Sequence, residues 1–450
     1  MSGLERFLET LRSCTAKNCM EGADGNYTYG DLLGEIGRWQ SHFDQLNIEP
    51  GTVIGLRADY SLHAVAALVA LISRRAVAAL IPRDRATSDY LADAQAAAFM
   101  DLHLDGRHEW HVAPHCATHP LLDKLRATGH GGIVLFTSGS TGRPKAALHS
   151  AERFLSKFRR PGRPFRTLAF LLFDHIAGQD TLFYTLGSGG TLIVARRRDP
   201  AAILALIESH KVEVLPTSPS FLRLLCLSKL ANERDLSSLK IITYGSEPMD
   251  PSTLDRLNAQ FSGVQISQKY GATEAGSPRS VSQGNNSLWL KFKSDGVDVK
   301  VVDNVLWIRS ESVILGYLNA PSPVDQEGWY CTGDVVEVDG EWLRFRGRMS
   351  DTINVGGEKV APAEVEHSIL ELDFVRDAVV MGMPHALLGQ VVTARVSLAT
   401  TDIEPRDATR LIWRHCRQRL ASYKAPVKIE ISSEGLTNDR QKVRRDRLAE

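Results

Sequence analysis

In the first third of the chain, segments whose apolar residues recur at helical spacing alternate with short apolar segments that are typical of strands. Residues 28–46, TYGDLLGEIGRWQSHFDQL, predict an amphipathic helix. Its apolar side chains fall at helical spacing: Leu32, Leu33, Ile36, Trp39 and Phe43. The apolar run 51–58 then predicts a strand, 62–74 a buried helix, and 76–82 another strand. This alternation indicates layered α/β structure with parallel strands.

The same alternation continues through the middle of the chain. Four short apolar segments predict further strands: 167–173, 189–195, 212–218 and 239–245. Helical stretches lie between them, of which PSFLRLLCLSKL at 219–230 is the clearest. We therefore expect α/β subdomains that are built from parallel sheets.

From about residue 289 the period changes to two. In the segment 289–310, Val297, Val299 and Val301 alternate with Asp298 and Lys300, which predicts antiparallel hairpins. This segment is expected to form a β-rich subdomain.

A small α+β unit follows Arg346. It contains predicted helices at 362–372 and 407–423, and predicted strands at 377–383 and 391–398. We place the domain boundary between residues 346 and 347, which divides the chain into 1–346 and 347–450.

Composition and charge narrow the class of protein. The chain has 450 residues, a hydrophobic content of 43% and a formal net charge of +0. Nothing in this balance points to a nucleic-acid partner. The longest apolar run, Ala64–Ile72, is far too short for a membrane span, and the N-terminus lacks a signal-peptide core. We expect a cytoplasmic protein.

Cysteine and histidine do not form a recognisable metal motif. The six cysteines are scattered without a C-x-x-C pair, which favours a reduced compartment. Six histidines cluster between residues 103 and 130 at irregular spacing: His103, His108, His111, His115, His119 and His130. We interpret this cluster as a polar surface segment, with a metal site as the less favoured alternative.

The stretch at residues 135–147 is a candidate phosphate-binding segment. LFTSGSTGRPKAA at 135–147 follows an apolar run and combines glycines and hydroxyls with Lys145. Such a segment is either a solvent loop or a phosphate cradle, in which backbone N–H groups, hydroxyls and a lysine surround an anion. It is not a P-loop, because Lys145 follows Arg143 and Pro144 and precedes Ala146.

Further segments in order along the chain resemble the acyl-adenylate-forming superfamily, which comprises acyl-CoA synthetases, adenylation domains of peptide synthetases, and luciferases. The segments are TSGSTGRPK (137–145), YGATEAG (270–276), YCTGD (330–334), GRMSDTINVGGEKVAPAEVE (347–366), YKAPVKI (423–429) and Lys442. The resemblance covers nearly the whole chain. It implies an enzyme that uses ATP and Mg²⁺ to activate a carboxylic acid, releases pyrophosphate, and transfers the acyl group to a thiol. It also implies a large N-terminal domain and a small mobile C-terminal domain.

The resemblance also implies roles for individual residues. The nucleotide would be bound by Thr137, Ser138, Gly139, Ser140, Thr141, Gly142, Lys145, Gly245, Ser246, Glu247, Tyr270, Gly271, Asp334 and Arg348. Thr273 would donate to the α-phosphate, Glu274 would hold Mg²⁺, and Lys442 would bridge the acid and the α-phosphate. Gly356 and Gly357 would line the path of the thiol. The chain departs from the family pattern at Gln441, where glycine is usual, and at the pivot position, where it has Ser350.

The acid pocket is expected around the segment FDHIAGQD at 173–180. Its candidate residues are Asp174, His175, Gly178, Thr217, Ser218 and Phe221. Asp174 either pairs with the ammonium group of an amino-acid substrate or has a structural role, and we favour the structural role. By the resemblance, His175 fits the gating aromatic or histidine of the family and belongs with Thr273, Glu274 and Lys442 among the catalytic candidates. The FDHIAG pattern around it favours an acyl-CoA synthetase.

Three functions stay open on the sequence alone. The favoured one is an acyl-CoA ligase whose acceptor is free CoA. The second is an adenylation enzyme that loads an amino acid or aryl acid onto the phosphopantetheine of a separate carrier protein. The third is a nucleotide-binding regulatory protein without catalysis, which the departures at Gln441 and Ser350 would favour.

Overall fold

The computed structural model describes residues 2–83, 87–113, 119–137, 143–160, 162–293, 296–433 and 435–436. Within them the chain forms twelve α-helices: α1 (Gly3–Ser13), α2 (Tyr29–Gln45), α3 (Leu62–Ser73), α4 (Thr87–Asp93), α5 (Pro120–Ala127), α6 (Ala151–Leu155), α7 (Ile176–Gly187), α8 (Pro200–Ser209), α9 (Pro219–Ser228), α10 (Pro251–Gln260), α11 (Pro362–Leu370) and α12 (Pro405–Arg419).

The strands of the first 240 or so residues are β1 (Asn18–Gly22), β2 (Gly25–Thr28), β3 (Val53–Arg57), β4 (Val77–Leu80), β5 (Ala98–Leu102), β6 (His108–Val112), β7 (Gly132–Thr137), β8 (Lys145–Ser150), β9 (Arg166–Ala169), β10 (Thr191–Val194), β11 (Val214–Thr217) and β12 (Ile241–Tyr244). The remaining strands are β13 (Gln265–Gln268), β14 (Ser280–Ser282), β15 (Trp289–Phe292), β16 (Val297–Val302), β17 (Val305–Ser310), β18 (Gly316–Tyr317), β19 (Tyr330–Asp339), β20 (Trp342–Arg348), β21 (Ile353–Val355), β22 (Glu358–Val360), β23 (Val375–His385), β24 (Gly389–Leu398) and β25 (Lys428–Ser432).

Two seven-stranded sheets and the helices between them form the α/β part of the large N-terminal domain. The first sheet has the order β18-β8-β7-β4-β3-β5-β6, and the second has the order β13-β12-β11-β9-β10-β1-β2. The largest hydrophobic core joins residues of both sheets with residues of α2, α3 and α7. The chain is therefore a mixed α/β protein, as the alternating pattern predicts.

The local sequence explains why the helices of this core form where they do. Helix α2 starts at a capping box in which Thr28 accepts from the backbone N–H of Asp31, and Asp31 accepts from that of Thr28. Helix α3 is apolar on all sides because it is packed between sheets, and its residues from Ala64 to Ile72 are fully buried. The predictions for both helices are confirmed.

The period-two segment forms an antiparallel sheet with the order β14-β15-β20-β19-β17-β16. Residues Val297 to Val302 pair in register with Ser310 to Val305, which confirms the predicted hairpin. The C-terminal unit is a five-stranded sheet in which β23 and β24 form a long hairpin and β25 adds to β24 in parallel. Helices α11 and α12 pack on this sheet. The division between residues 346 and 347 itself stays a prediction.

None of the helices within the described part of the chain combines the length and apolar content needed to cross a bilayer. The histidine segment forms β6 and its surroundings, with His103, His108 and His111 exposed. His115 lies outside the described residues. Over the described ranges, no group of three His, Cys, Asp or Glu side chains is arranged to hold a metal ion.

Candidate active site

A cavity of about 240 Å³ opens at the carboxyl ends of the parallel strands of the second sheet. Strands β9 to β13 run parallel, so the segments that follow them meet at one edge. The wall of the cavity includes residues that follow β9, β10, β11, β12 and β13, and it also includes Thr137, Thr273 and Glu274. A second cavity of about 290 Å³ adjoins it and shares Ser246, Lys269, Tyr270, Gly271 and Arg348.

Glu274 lies in a turn that is held by bridging hydrogen bonds between Ala272 and Gly276. The Tyr317 hydroxyl donates to Oε1 of Glu274 at 2.6 Å. Burial and the Glu274 charge raise the pKa of Tyr317, so the phenol keeps its proton and acts as a donor. The second carboxylate oxygen has no hydrogen bond from Tyr317. A single carboxylate beside the Thr273 hydroxyl at the cavity wall is a donor set that suits a hard cation such as Mg²⁺, which commonly takes one carboxylate together with phosphate oxygens.

Lys145 and Thr137 are paired across the hairpin of β7 and β8, so both ends of the predicted phosphate loop are positioned by one sheet. Thr137 lines the cavity. The Lys145 ammonium lies 5.2 Å from the centroid of the Tyr317 ring, in a cation–π arrangement. The nucleotide-binding role of the loop residues between them stays a prediction, because these residues lie outside the described part of the chain: Ser138, Gly139, Ser140, Thr141 and Gly142.

Asp334, Tyr270 and Arg348 form a polar group on the wall of the second cavity. The Tyr270 hydroxyl donates to Oδ2 of Asp334 at 2.8 Å, and Nε of Arg348 lies 3.3 Å from Oδ1. Burial raises the pKa of Asp334 above its usual value, although the neighbouring Arg348 charge lowers it in part. One face of the Tyr270 ring stacks on Phe345, with centroids 5.0 Å apart. The group offers carboxylate oxygens and an aromatic surface on one side of the cavity.

Gly245, Ser246 and Glu247 form the turn after β12. A Cβ at Gly245 would lie 2.6 Å from the carbonyl oxygen of Lys269, so only glycine lets the two segments approach this closely. Ser246 has a φ of 73°, an uncommon conformation for a residue with a side chain. The Ser220 hydroxyl donates to Oε2 of Glu247 at 2.7 Å, which fixes the carboxylate at the cavity wall.

The residues expected around the acid divide into two groups. His175, Thr217 and Ser218 line the first cavity. Phe221 is fully buried beneath it and packs on Phe170 with ring centroids 4.5 Å apart. Gly178 faces Leu172, and a Cβ there would lie 1.9 Å from the Leu172 carbonyl oxygen. These two positions shape the cavity through packing and do not line it.

Asp174 is half-buried and is not among the residues that line the cavity. The aspartate of this segment that does line it is Asp180, one turn into α7. Asp180 is paired with the Lys157 ammonium, which also donates to the Ser277 carbonyl at 2.8 Å. The Ser277 hydroxyl donates to Asp180 at 3.3 Å. An ammonium group of a substrate would therefore meet a carboxylate that already has a cationic partner.

Sequence reasoning did not single out three cationic residues at or beside the first cavity: Lys157, Arg198 and Lys269. Lys269 and Arg198 line the cavity directly. Desolvation lowers the pKa of Lys269, and the Lys293 and Lys157 charges act in the same direction against the opposing effect of Asp180. A signal was present, because Lys269 follows β13 directly and Arg198 lies just beyond β10, both at the carboxyl edge.

Gly356 and Gly357 form the turn between β21 and β22 with φ values of 60° and 97°. The Gly357 N–H donates to Oδ1 of Asn354 at 3.0 Å, and the Gly356 N–H donates to the Leu388 carbonyl at 2.8 Å. Nothing lies within 4 Å of a Cβ built at Gly357, so its outer side is open. Lys442 and Gln441 lie outside the described residues. Ser350 is in the short helical turn after β20 and donates to Asp351 at 2.9 Å.

Comparison with known proteins identifies related sequences. The curated relatives include a 3-[(3aS,4S,7aS)-7a-methyl-1,5-dioxo-octahydro-1H-inden-4-yl]propanoyl:CoA ligase of Mycobacterium tuberculosis, 29% identical over 70% of this chain and 66% of that protein. They also include a long-chain-fatty-acid–CoA ligase of Haemophilus influenzae, 27% identical over 75% of this chain and 63% of that protein. The chain thus spans less than two thirds of the length of these relatives.

Solved structures share the fold. The anthranilate CoA ligase AuaEII in complex with anthranoyl-AMP superposes with a TM-score of 0.83 at 20% identity, and the match covers 100% of this chain and 96% of that one. ATP-bound MatB from Rhodopseudomonas palustris superposes with a TM-score of 0.82 at 21% identity, covering 100% and 98%.

Family models agree with these matches. The model of the AMP-binding enzyme matches residues 9–318, and the model of the AMP-binding enzyme C-terminal domain matches residues 364–441. The first match includes Thr137, Thr273 and Glu274 in the cavity wall. The turn at Gly356 lies just before the second match. The chain belongs to the AMP-binding enzyme family.

Proposed function

We propose that the chain catalyses the ATP-dependent activation of a carboxylic acid and then transfers the acyl group to the thiol of CoA. The observation that carries this proposal is the meeting of Thr137 with the adjacent Thr273 and Glu274 on one cavity that continues to Asp334, although these three segments are far apart in the sequence. Such a cavity could hold a triphosphate, a ribose and an acid in contact with one another.

In the first half-reaction, a carboxylate oxygen of the acid would attack the α-phosphorus of ATP. The bond from that oxygen to phosphorus forms, the bond to pyrophosphate breaks, and acyl-AMP remains. The transition state carries negative charge on phosphate oxygens, which preorganised donors and positive charge stabilise. The Thr273 hydroxyl would donate to the α-phosphate and Lys145 would balance charge on the outer phosphates. Asp334 would accept from the ribose hydroxyls.

Glu274 would hold Mg²⁺ against the phosphates, and a bound Mg²⁺ would neutralise part of the charge that develops on them. The Tyr317 hydroxyl keeps one oxygen of Glu274 engaged, so the other is oriented for a ligand. Lys442 would set its ammonium between the acid and the α-phosphate, two anions that otherwise repel each other.

In the second half-reaction, the sulfur of the thiol would attack the acyl carbon. The C–S bond forms, the C–O bond to AMP breaks, and the thiol proton passes to solvent. We propose that residues 347–450 act as a mobile unit, which withdraws Lys442 and brings the open turn at Gly356 and Gly357 to the pantetheine arm. Free CoA is the proposed acceptor.

The test measures acid-dependent exchange between ATP and labelled pyrophosphate over fatty, aryl and amino acids, in the presence and absence of Mg²⁺. Thioester formation with CoA and with a carrier protein is then followed by mass spectrometry. Glu274→Gln should lower the exchange rate by about 10²-fold or more, because it removes the charge that would hold the metal. The exposed Glu327→Gln serves as a matched control and should leave the rate unchanged.

Three outcomes would contradict parts of the proposal. ATP binding without exchange for any acid would favour the regulatory alternative. Exchange followed by transfer to a carrier protein but not to CoA would replace the proposed acceptor. An unchanged rate in Glu274→Gln would remove Glu274 from the metal site.

A further inference from the structure

Two polar side chains in the wall of the first cavity have atoms that are buried and lack a hydrogen-bond partner among the described residues. They are Nη2 of Arg198 and Oγ1 of Thr217. Both residues line the same cavity, and Thr217 is only 3% exposed. A buried donor that is left unsatisfied destabilises the fold, and a charged one does so more strongly. The pair therefore points to an acceptor that belongs to a ligand.

The fold places this pair at the end of the cavity that is remote from Thr273 and Glu274. The Arg198 Nε donates to the carbonyl of Phe170 at 2.7 Å, which holds the guanidinium above the end of β9. Thr217 ends the neighbouring strand β11. Strand β13, which leads to Thr273, is two strands beyond β11 and three beyond β9. At about 4.8 Å per strand, the ends of β11 and β9 lie about 10–14 Å from the end of β13.

The electrostatics of the cavity favour an anion at this remote end. Arg198 carries a permanent charge, and a guanidinium beside apolar groups needs a partner to offset its desolvation. Lys269 also lines the wall, and because it follows β13 it lies toward the Thr273 end. The carboxylate of Asp180 is already engaged by Lys157 and by the Ser277 hydroxyl. Arg198 thus places a positive charge at the end of the wall that lies over β9.

We propose that the acid is a dicarboxylic acid. Its second carboxylate accepts hydrogen bonds from Arg198 and Thr217, while its first carboxylate attacks the α-phosphate beside Thr273. This inference rests on the proposed function, since it names the substrate class of that site. The second carboxylate satisfies both buried donors and offsets the arginine charge. The separation across the sheet selects a diacid of medium length, and short diacids do not reach both ends.

The test compares kcat/KM for pyrophosphate exchange between saturated α,ω-diacids of six to twelve carbon atoms and the monoacids of equal length. The wild-type chain should prefer a medium-length diacid. Arg198→Met should lower kcat/KM for that diacid about tenfold to a hundredfold, because a charge-assisted hydrogen bond is lost. The monoacid of the same length should be used equally well or better. Arg197→Met is the matched control, since Arg197 is 79% exposed and pairs with Asp199. It should leave kcat/KM unchanged for both the diacid and the monoacid.

Thr217→Val gives an independent arm, because it removes the hydroxyl without removing the contact of Arg198 with Phe170. It should also lower the rate for the diacid selectively. Circular dichroism and thermal unfolding check that each variant is folded. If Arg198→Met does not fold, Thr217→Val decides the question by the same selectivity.

The two proposals fail in different ways. If no acid of any class supports exchange, the proposed function fails and this inference falls with it. If monoacids are used as well as diacids by the wild type, the second-carboxylate site is overturned while the activity stands. Equal losses for both substrates in Arg198→Met and in Thr217→Val would likewise overturn it, because the residues would then act only through the structure.

Discussion

Arg223 donates a hydrogen bond of 2.8 Å to the main-chain carbonyl of Val375, which joins helix α9 of the large domain to strand β23 of the C-terminal sheet. The same guanidinium donates to the carbonyls of Arg376 at 3.0 Å and Leu372 at 3.5 Å. Arg223 is only 2% exposed, and burial lowers its pKa. The Asp250 carboxylate lies 3.9 Å from the guanidinium, and its charge offsets part of the desolvation of Arg223. One buried cation therefore binds three carbonyls of the other domain.

Replacing Arg223 should weaken this contact far more than replacing Arg256, a half-buried arginine of the same interface. Arg223→Met should lower the free energy of unfolding by about 3 kcal/mol, because it leaves buried carbonyls without a donor. Arg256→Met is the control, since Arg256 pairs with an exposed Asp373 and such pairs contribute about 0–1 kcal/mol. Urea unfolding measures both, and hydrogen exchange at residues 372–376 should rise only in Arg223→Met. Equal effects of the two variants would contradict the interpretation.

The hydrogen bond from Tyr317 to Glu274 should set how well Glu274 presents its carboxylate. Tyr317→Phe removes the donor, so the carboxylate loses a fixed orientation and the Mg²⁺ concentration for half-maximal exchange should rise several-fold. The loss of one neutral-to-charged hydrogen bond corresponds to about 1.5–3 kcal/mol at most. Tyr184→Phe, at a residue 38% exposed, is the control. An unchanged Mg²⁺ dependence in Tyr317→Phe would show that the bond does not orient Glu274.

The raised pKa of Asp334 predicts that nucleoside affinity falls at low pH. Only the ionised carboxylate accepts from both ribose hydroxyls, so affinity should fall as the pH drops toward a pKa that lies above the ordinary Asp value of 3.8. Adenosine is the suitable probe because it has no phosphate to titrate. Its Kd should rise as the pH is lowered toward that pKa, and Asp334→Asn should bind it weakly at every pH. A wild-type profile parallel to that of Asp334→Asn would exclude Asp334 as the titrating group.

Lys442 and Gly357 should separate the two half-reactions. Lys442→Ala should lower adenylate formation by about 10²–10³-fold, since it removes one preorganised charge. The same variant should convert a supplied acyl-adenylate and CoA to thioester at close to the wild-type rate. Gly357→Trp should do the reverse, because its bulk occupies the open side of the turn. Single-turnover assays of each step measure the split, and equal damage to both steps by Lys442→Ala would contradict the proposed domain movement.

Most of the elements were predictable because their cause is local. The capping box at Thr28, the unbroken apolar run of α3 and the alternation of Val297 to Val301 each depend on neighbours in the sequence. The order of the strands was not predictable, because β1 and β2 extend a sheet whose other strands begin more than a hundred residues later. Such pairing depends on which apolar faces meet, and a period of two along one strand does not specify its partner.

The sequence by itself determined the family. It also predicted the residues for nucleotide and metal, since Thr273, Glu274 and Asp334 belong to contiguous motifs whose backbone geometry is local. Only the tertiary structure decided which side chains line the first cavity, where we propose that the acid binds. Ile176, Ala177, Asp180 and Thr181 face it because they share one side of α7, while Gly178 and Gln179 turn toward the core. Arg198, Thr217 and Lys269 come together only because parallel strands end at a common edge, which brings distant residues within reach of one ligand.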